Sequence, residues 1–234
     1  MLGVCMYCNT ELERRVMTRH LTGCRARRAV IEQAEQREIA SERLYHLFVE
    51  DAYNAEFWLH LEMRGTSTLK ELDYYLRCIW LECCNHLSDF YRNDWQGSKV
   101  AKSRRIEDVV EKGSQLLHVY DYGTTSETRI KVVSVREGKP TTQHPIVLMA
   151  RNRKPDYRCV QCGQLADWWC LECLLEEGEM LYLCNACGRQ HSHAVDDDSP
   201  YDEDAEFLPE WLMPLVNSPR VGMCGYTGPA DPPY

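Results

Sequence analysis

Cysteine and histidine residues recur at short, regular spacings in the C-terminal third of the chain. Six cysteines form three Cys-x2-Cys pairs, and two histidines follow the last pair. The eight residues are Cys159, Cys162, Cys170, Cys173, Cys184, Cys187, His191 and His193. Two cysteines spaced by two residues can bind one ion from a tight turn, and zinc takes four such ligands at tetrahedral angles. Eight ligands therefore predict two zinc ions.

Two ways of pairing these eight ligands are open. A consecutive arrangement joins the first two cysteine pairs across a link of seven residues. An interleaved arrangement joins the first pair with the third and leaves the middle pair for the two histidines. We favour the interleaved arrangement, although the short link is also feasible.

A second set of ligand types lies at the N-terminus. Cys5 and Cys8 form a possible zinc knuckle, and His20 and Cys24 lie one helical turn apart after a gap of eleven residues. Four potential ligands at these spacings predict a third zinc ion. The alternative is a set of surface cysteines without metal.

The distribution of the cysteines favours metal over disulfides. Nine of the thirteen lie in the segments 5–24 and 159–187, mostly as Cys-x2-Cys pairs accompanied by histidine. No secretory leader and no membrane-spanning run is visible, so we expect a reducing, cytoplasmic location. Cys78 remains outside these sets, and we expect it to pack in a helix. Cys83, Cys84 and Cys224 could join His86 at a fourth metal, but we favour buried thiols.

The ligand count indicates structural rather than catalytic metal. Twelve side chains would saturate three ions, whereas a catalytic zinc keeps one position for water. No His-Glu-x-x-His pattern is present. We therefore expect zinc as the cofactor and no organic cofactor.

Basic residues concentrate beside the N-terminal set, although the net charge of the chain is -9. Arginines on an exposed helix edge can contact phosphates, but they are also typical of an ordinary solvated face. The candidates for nucleic-acid contact are Arg14, Arg15, Arg19, Arg25, Arg27 and Arg28. Seven acidic residues within 196–206 indicate a solvated linker; the alternative is a segment that folds back on these arginines.

The elements that must position these residues follow from hydrophobic periodicity. Residues 25–43 lack Gly and Pro and predict a helix. A continuous apolar and aromatic run at 44–49 and an alternating pattern at 57–63 predict an antiparallel hairpin about Asn54. Thr68 and Glu71 form a capping-box pattern that opens an amphipathic helix over 68–82. Further strands are predicted at 115–122, 128–135 and 146–150, with the helices on one face of the sheet.

The predicted fold class is α+β, with a central antiparallel sheet packed by helices and small zinc-binding modules at both ends. The predicted segments are a CCHC-type zinc finger at 1–28, a linker helix at 29–43, the α+β domain at 44–153, a cross-braced zinc module at 157–195, and an acidic linker with a C-terminal tail closing on the central domain at 196–234.

Short motifs of the central domain are shared with a known family. They are Thr68-Leu69 with Leu72, the run His86-Leu87-Ser88-Asp89-Phe90, and Val119-Tyr120-Asp121-Tyr122-Gly123 followed by Glu127. On these motifs, residues 44–153 resemble the pRi-plasmid open-reading-frame-three-like domain, also called the insertion-element passenger TnpR-type family. Glu82-Cys83-Cys84-Asn85 stands where that family usually has a Gly-Trp pair. The segment 217–226 is similar to the closing segment of the family, and residues 157–195 resemble a B-box-type module.

The resemblance implies a mobile-element or defence-related setting and no particular reaction. The favoured function is a non-catalytic adaptor that presents its zinc modules to a protein or nucleic-acid partner, with no membrane involved. The alternative is an enzyme that uses a polar cleft around Tyr120, Asp121 and His86.

Overall fold

The computed structural model describes residues 1–193 and 210–234, which form two compact units. The sheet unit consists of Met1–Arg153, Asn217–Pro219 and Gly228–Tyr234, and the cysteine-rich unit consists of Lys154–Val216 and Arg220–Thr227. The acidic run predicted to be a linker, 196–206, lies outside the described residues. No helix among the described residues is long and apolar enough to cross a lipid bilayer.

An antiparallel sheet forms the centre of the sheet unit. Its strands run in the order β2-β1-β9-β4-β3-β8-β7-β5-β6. They are β1 Leu2–Cys5, β2 Glu11–Glu13, β3 Glu42–Asp51, β4 Trp58–Arg64, β5 Ser88–Arg92, β6 Lys99–Val100, β7 Gln115–Tyr120, β8 Ser126–Gly138 and β9 Ile146–Asn152. The predicted α+β class with a central antiparallel sheet is confirmed.

The predicted hairpin is present as strands β3 and β4. Leu47 lies opposite Leu61 on the two strands, and both side chains are fully buried. The turn is fixed by Asp51, whose carboxylate accepts hydrogen bonds from the backbone N–H groups of Tyr53 and Asn54 at 3.0 and 2.6 Å. An aspartate that bonds the backbone two and three residues ahead is a common turn device.

One face of the sheet is covered by helix α3, Leu69–Leu76, and by the π-helical segment Arg77–Leu81 that continues it. The capping box predicted at Thr68 and Glu71 is present. The helical path therefore extends to residue 81, as the periodicity predicts, but its last turn is π-helical. A widened turn of this kind often lies beside a functional site.

The opposite face of the sheet is also covered, which corrects the expectation that helices lie on one face only. Helix α1, Arg14–Gly23, buries Met17 and Leu21 in a cluster with Trp58. Trp58 points away from its neighbour Leu59, which belongs to the core under α3, because side chains alternate along a strand. Strand β1 pairs with β9, so the N-terminal segment extends the central sheet.

Helix α2, Arg25–Glu35, ends earlier than the helix predicted to reach residue 43. The amino group of Lys139 donates a hydrogen bond of 2.8 Å to the carbonyl of Glu35, and it also contacts the carbonyl of Arg37. A lysine that satisfies the last carbonyls stabilises a helix end. This contact comes from a residue distant in sequence, so local propensity does not reveal it.

The C-terminal residues of the sheet unit pack against its strands and helices. The hydroxyl of Ser218 donates a hydrogen bond of 2.6 Å to the carbonyl of Trp80. The side chain of Tyr234 stacks on His144 with ring centroids 4.3 Å apart. Residues at both ends of the sequence therefore belong to one folded unit.

The cysteine-rich unit is built from short elements. They are β10 Trp168–Cys170, α4 Leu171–Glu177, β11 Tyr182–Leu183, α5 Asn185–Gln190 and β12 Leu212–Pro214. The strands form a small antiparallel sheet in the order β11-β10-β12. One of its apolar clusters consists mainly of cysteines, with Leu183 and Leu212.

Candidate metal centres

Cysteine and histidine side chains gather into four groups among the described residues. In each group the potential ligand atoms lie within 4.8 Å of one another. None of the thirteen cysteines forms a disulfide. These clusters can hold metal ions.

The N-terminal group consists of Cys5, Cys8, His20 and Cys24. The β1–β2 turn supplies the first two residues, α1 supplies His20, and Cys24 lies between α1 and α2. The sulfur of Cys8 lies 3.4 Å from Nε2 of His20. A sulfur and a nitrogen on one tetrahedral zinc ion lie about 3.6 Å apart, given bonds of about 2.3 and 2.05 Å. The observed separation therefore fits two ligands of one ion.

The environment of Cys8 favours the thiolate form that binds metal. The sulfur lies 3.2 Å from the hydroxyl of Thr10. This hydrogen bond lowers the pKa of Cys8 to about 6. Metal ligation requires a deprotonated cysteine. At neutral pH the Cys8 sulfur is thus available as an anionic donor.

The four-sulfur group consists of Cys159, Cys162, Cys184 and Cys187. The sulfur atoms of Cys162 and Cys184 are 3.6 Å apart. A disulfide would require about 2.0 Å. Two sulfurs on one tetrahedral zinc ion lie about 3.8 Å apart. The geometry therefore fits a shared ion and does not fit a disulfide.

Local turns shape this group. Gly163 adopts φ 73, and its N–H donates a hydrogen bond of 2.9 Å to the carbonyl of Cys159. Burial raises the pKa of Cys159, but backbone hydrogen bonds from Cys184 and Cys162 overcome it and lower the value to about 6. The turn at Gly163 thus closes the chain after Cys159, and the hydrogen bonds favour the thiolate form of Cys159.

The mixed group consists of Cys170, Cys173, His191 and His193. Nε2 of His193 lies 3.0 Å from the sulfur of Cys170 and 3.4 Å from that of Cys173. Nε2 of His191 lies 3.3 Å from the sulfur of Cys173. The other ring nitrogen of His193 lies 3.4 Å from a carboxylate oxygen of Glu176. Metal-bound histidines commonly contact a carboxylate in this way.

These two groups have the interleaved arrangement. The first cysteine pair lies with the third, and the middle pair lies with the two histidines. Strand β10 leads into the middle pair and is paired with β11, which leads into the third. The pairing of β10 with β11 therefore positions the ligands. The seven-residue link between the first two cysteine pairs does not have to bring them to one ion.

A fourth group lies in the loop after the π-helical segment. In this loop group, the sulfurs of Cys83 and Cys84 and a ring nitrogen of His86 lie within 4.8 Å of one another. Cys84 and Cys224 are exposed and Cys83 is half-buried, so the expectation of buried thiols is wrong for all three. Their spacing, with two adjacent cysteines and a histidine two residues later, is a weaker signal than Cys-x2-Cys.

The six arginines predicted to contact nucleic acid divide into two sets. Arg14 pairs with Glu50 and lies 5.1 Å over the ring of Phe48. Arg27 pairs with Glu62 at 3.0 Å, and its side chain is only 13% exposed. The other four have exposed side chains: Arg15, Arg19, Arg25 and Arg28.

A groove in the sheet unit is lined by further basic residues that no local sequence pattern indicates. Its volume is about 780 Å³, and Arg14, Arg15, Lys112 and Lys131 line it together with Glu13. Lys112 and Lys131 are exposed, and Lys131 lies opposite Phe48 on the neighbouring strand. These lysines are distant in sequence from the arginines, so only the sheet register brings them together.

Tyr120, Asp121 and His86 lie near one another, as the enzyme hypothesis required. Nε2 of His86 is 3.4 Å from Oδ2 of Asp121. Tyr120, however, is fully buried, and burial raises its pKa to about 12. Its hydroxyl lies 3.4 Å from the backbone nitrogens of both Cys83 and His86, so Tyr120 helps to hold this loop in place.

Comparisons with known proteins identify no family. No protein-family model matches the chain, and no curated protein matches it. A structural search finds a protein of unknown function, MM3350, from Methanosarcina mazei Go1, with a TM-score of 0.39 and 16% identity. The match covers 44% of this chain and 66% of that chain, just under two thirds of its length.

Proposed function

We propose that this chain is a non-catalytic zinc adaptor in which the N-terminal, four-sulfur and mixed groups each bind one structural zinc ion. The observation that carries the proposal is the supply of four sulfur or nitrogen donors in each group, at mutual distances that suit a tetrahedral ion. Thiolate and imidazole select zinc-like metals over magnesium or calcium. Four protein donors leave no position for a reactive water, as is typical of structural zinc.

Zinc has a direct folding role in the cysteine-rich unit under this proposal. The buried members of its first apolar cluster are four cysteines, Cys159, Cys170, Cys173 and Cys184, together with Leu183 and Leu212. A second, small cluster is built on Ala166, Trp169 and Leu215, so the buried apolar area around the cysteines themselves is limited to the two leucines. Metal affinity supplies the missing folding energy, on the order of 10 kcal/mol per ion.

The favoured partner is a nucleic acid bound along the basic groove of the sheet unit. The groove is lined by four cationic side chains and one carboxylate, that of Glu13. Glu13 itself pairs with Arg15 at 2.5 Å. Arg14 is likewise paired with Glu50, so the positive charge that suits a phosphate backbone comes chiefly from Lys112 and Lys131, in a chain whose net charge is -9.

Fluorescence anisotropy with labelled single-stranded and double-stranded oligonucleotides tests this partner. We expect binding that weakens steeply with salt, because each phosphate contact releases counterions. Replacing Arg15, Lys112 and Lys131 with glutamine should reduce the slope of log K against log salt by about 2 for a single strand. A double variant of Lys70 and Arg105, exposed residues that do not line the groove, is the matched control.

A protein partner is the alternative outcome of the same experiment. Affinity that does not depend on salt, or that survives the triple replacement, would exclude the nucleic-acid form of the proposal. Cys8→Ser tests zinc binding separately from nucleic-acid binding. It should remove one zinc ion whether or not the groove binds nucleic acid.

A further inference from the structure

The loop group gathers its potential ligands from one short segment. Cys83, Cys84 and His86 lie within four consecutive residues, directly after the π-helical segment. Asn85 between them adopts φ 56, a left-handed conformation that asparagine tolerates better than most residues. This local reversal of the chain gives three donor atoms within 4.8 Å of one another.

Buried side chains hold the backbone of this loop in place. Nη2 of Arg77 donates a hydrogen bond of 2.5 Å to the carbonyl of His86. The guanidinium of Arg77 lies 4.9 Å over the ring of Tyr120, whose hydroxyl contacts the backbone nitrogens of Cys83 and His86. A site whose backbone is fixed by packed neighbours is organised before any ligand arrives.

The histidine of the group is oriented by a carboxylate. Nε2 of His86 faces Oδ2 of Asp121 at 3.4 Å, and Asp121 is 5% exposed. The N–H of Asp121 donates a hydrogen bond of 2.9 Å to the carbonyl of Leu87, which ties this residue to the same loop. Histidines that bind metal commonly contact a carboxylate in this way.

We infer that Cys83, Cys84 and His86 bind a fourth metal ion of the zinc class, with Asp121 as the carboxylate that orients His86. Two thiolates and one imidazole are soft to borderline donors and select zinc over magnesium or calcium. The ion fixes the loop between α3 and β5. This inference goes beyond the three ions of the proposed function, and it gives His86 and Asp121 a metal-binding role in place of acid–base catalysis.

Zinc stoichiometry of the full chain, purified under reducing conditions, tests the fourth centre. Replacing Cys84 by serine should lower the zinc content by one equivalent relative to the unaltered chain. Cys84 is exposed, so this change leaves the apolar core intact. His86→Gln should have the same effect. Cys78→Ser is the control, because Cys78 lies in the π-helical segment and in none of the four groups.

Asp121→Asn examines the orienting role separately. The variant should keep its full zinc content at saturation but bind one ion roughly 10- to 100-fold more weakly, as judged by competition with a chromogenic chelator. Zinc content that is the same in the unaltered chain, Cys84→Ser and His86→Gln would overturn the fourth centre. Cys8→Ser, which belongs to the N-terminal group, should lose one ion independently, so failure here is distinguishable from failure of the three-ion proposal.

Discussion

The guanidinium of Arg27 lies 3.0 Å from the carboxylate of Glu62 and ties helix α2 to strand β4. The carboxylate is also paired with Arg136 at 2.7 Å. These two arginines hold the pKa of Glu62 below its usual range despite its burial, with Arg136 the larger influence. An arginine predicted from sequence as a nucleic-acid contact is therefore part of the packing between helix and sheet.

The first prediction concerns this ion pair. Arg27→Ala should lower the free energy of unfolding by roughly 2–3 kcal/mol, because it leaves a buried carboxylate with one partner fewer. Arg28→Ala, on the exposed side of the same helix, should change it by less than about 0.5 kcal/mol. Urea unfolding of the zinc-saturated protein measures both. Equal losses in the two variants would contradict the structural role of Arg27.

The interleaved arrangement predicts how double variants lose zinc. His193→Gln combined with Cys170→Ser removes two ligands of one group, so it should cost one ion. His193→Gln combined with Cys187→Ser damages two groups and should cost two ions. The consecutive arrangement predicts the reverse order, so zinc analysis of the two variants separates the alternatives.

Metal removal should affect the two units unequally. Chelation under reducing conditions should strongly reduce amide-exchange protection around the cysteine pairs of residues 157–193, because one of the two buried clusters there is mostly cysteine. Strands β3, β4 and β8 should retain protection, since the core under α3 is built from apolar side chains such as Leu47, Leu61 and Ile130. Hydrogen exchange followed by mass spectrometry detects the difference. Protection that survives chelation in both segments would argue against a folding role for zinc.

A buried histidine pair predicts a dependence of stability on pH. Nε2 of His46 lies 2.8 Å from Nδ1 of His60, and burial lowers their pKa values to about 4 and about 3. The unfolded residues titrate near pH 6.5, so the unfolded state binds more protons as the pH falls below about 6.5. Stability is therefore full above that pH and falls toward pH 4, by up to about 1.4 kcal/mol per pH unit for each histidine.

Comparison with His46→Gln isolates this effect. Unfolding free energies at pH 7 and pH 5.5 should differ less in the variant than in the unaltered chain, because one titrating group is gone. Loss of zinc at low pH affects both proteins alike and cancels in the difference. An identical dependence on pH would exclude the pair as its source.

Local patterns revealed the elements that depend on neighbours in sequence. The apolar run of β3, the alternation of β4 and the capping box at Thr68 identified two strands and a helix, and the Cys-x2-Cys pairs identified the knuckles. Features that depend on distant residues were missed. Strand β1 is short and pairs with β9 from the far end of the domain. Lys131 joins the groove only through its register with Phe48.

Elemental analysis of the full chain, purified under reducing conditions without added metal, is the most direct measurement of the central claim. The N-terminal, four-sulfur and mixed groups predict three tightly bound zinc ions per chain, and the loop group adds a fourth. One equivalent or none in the folded protein would contradict the account.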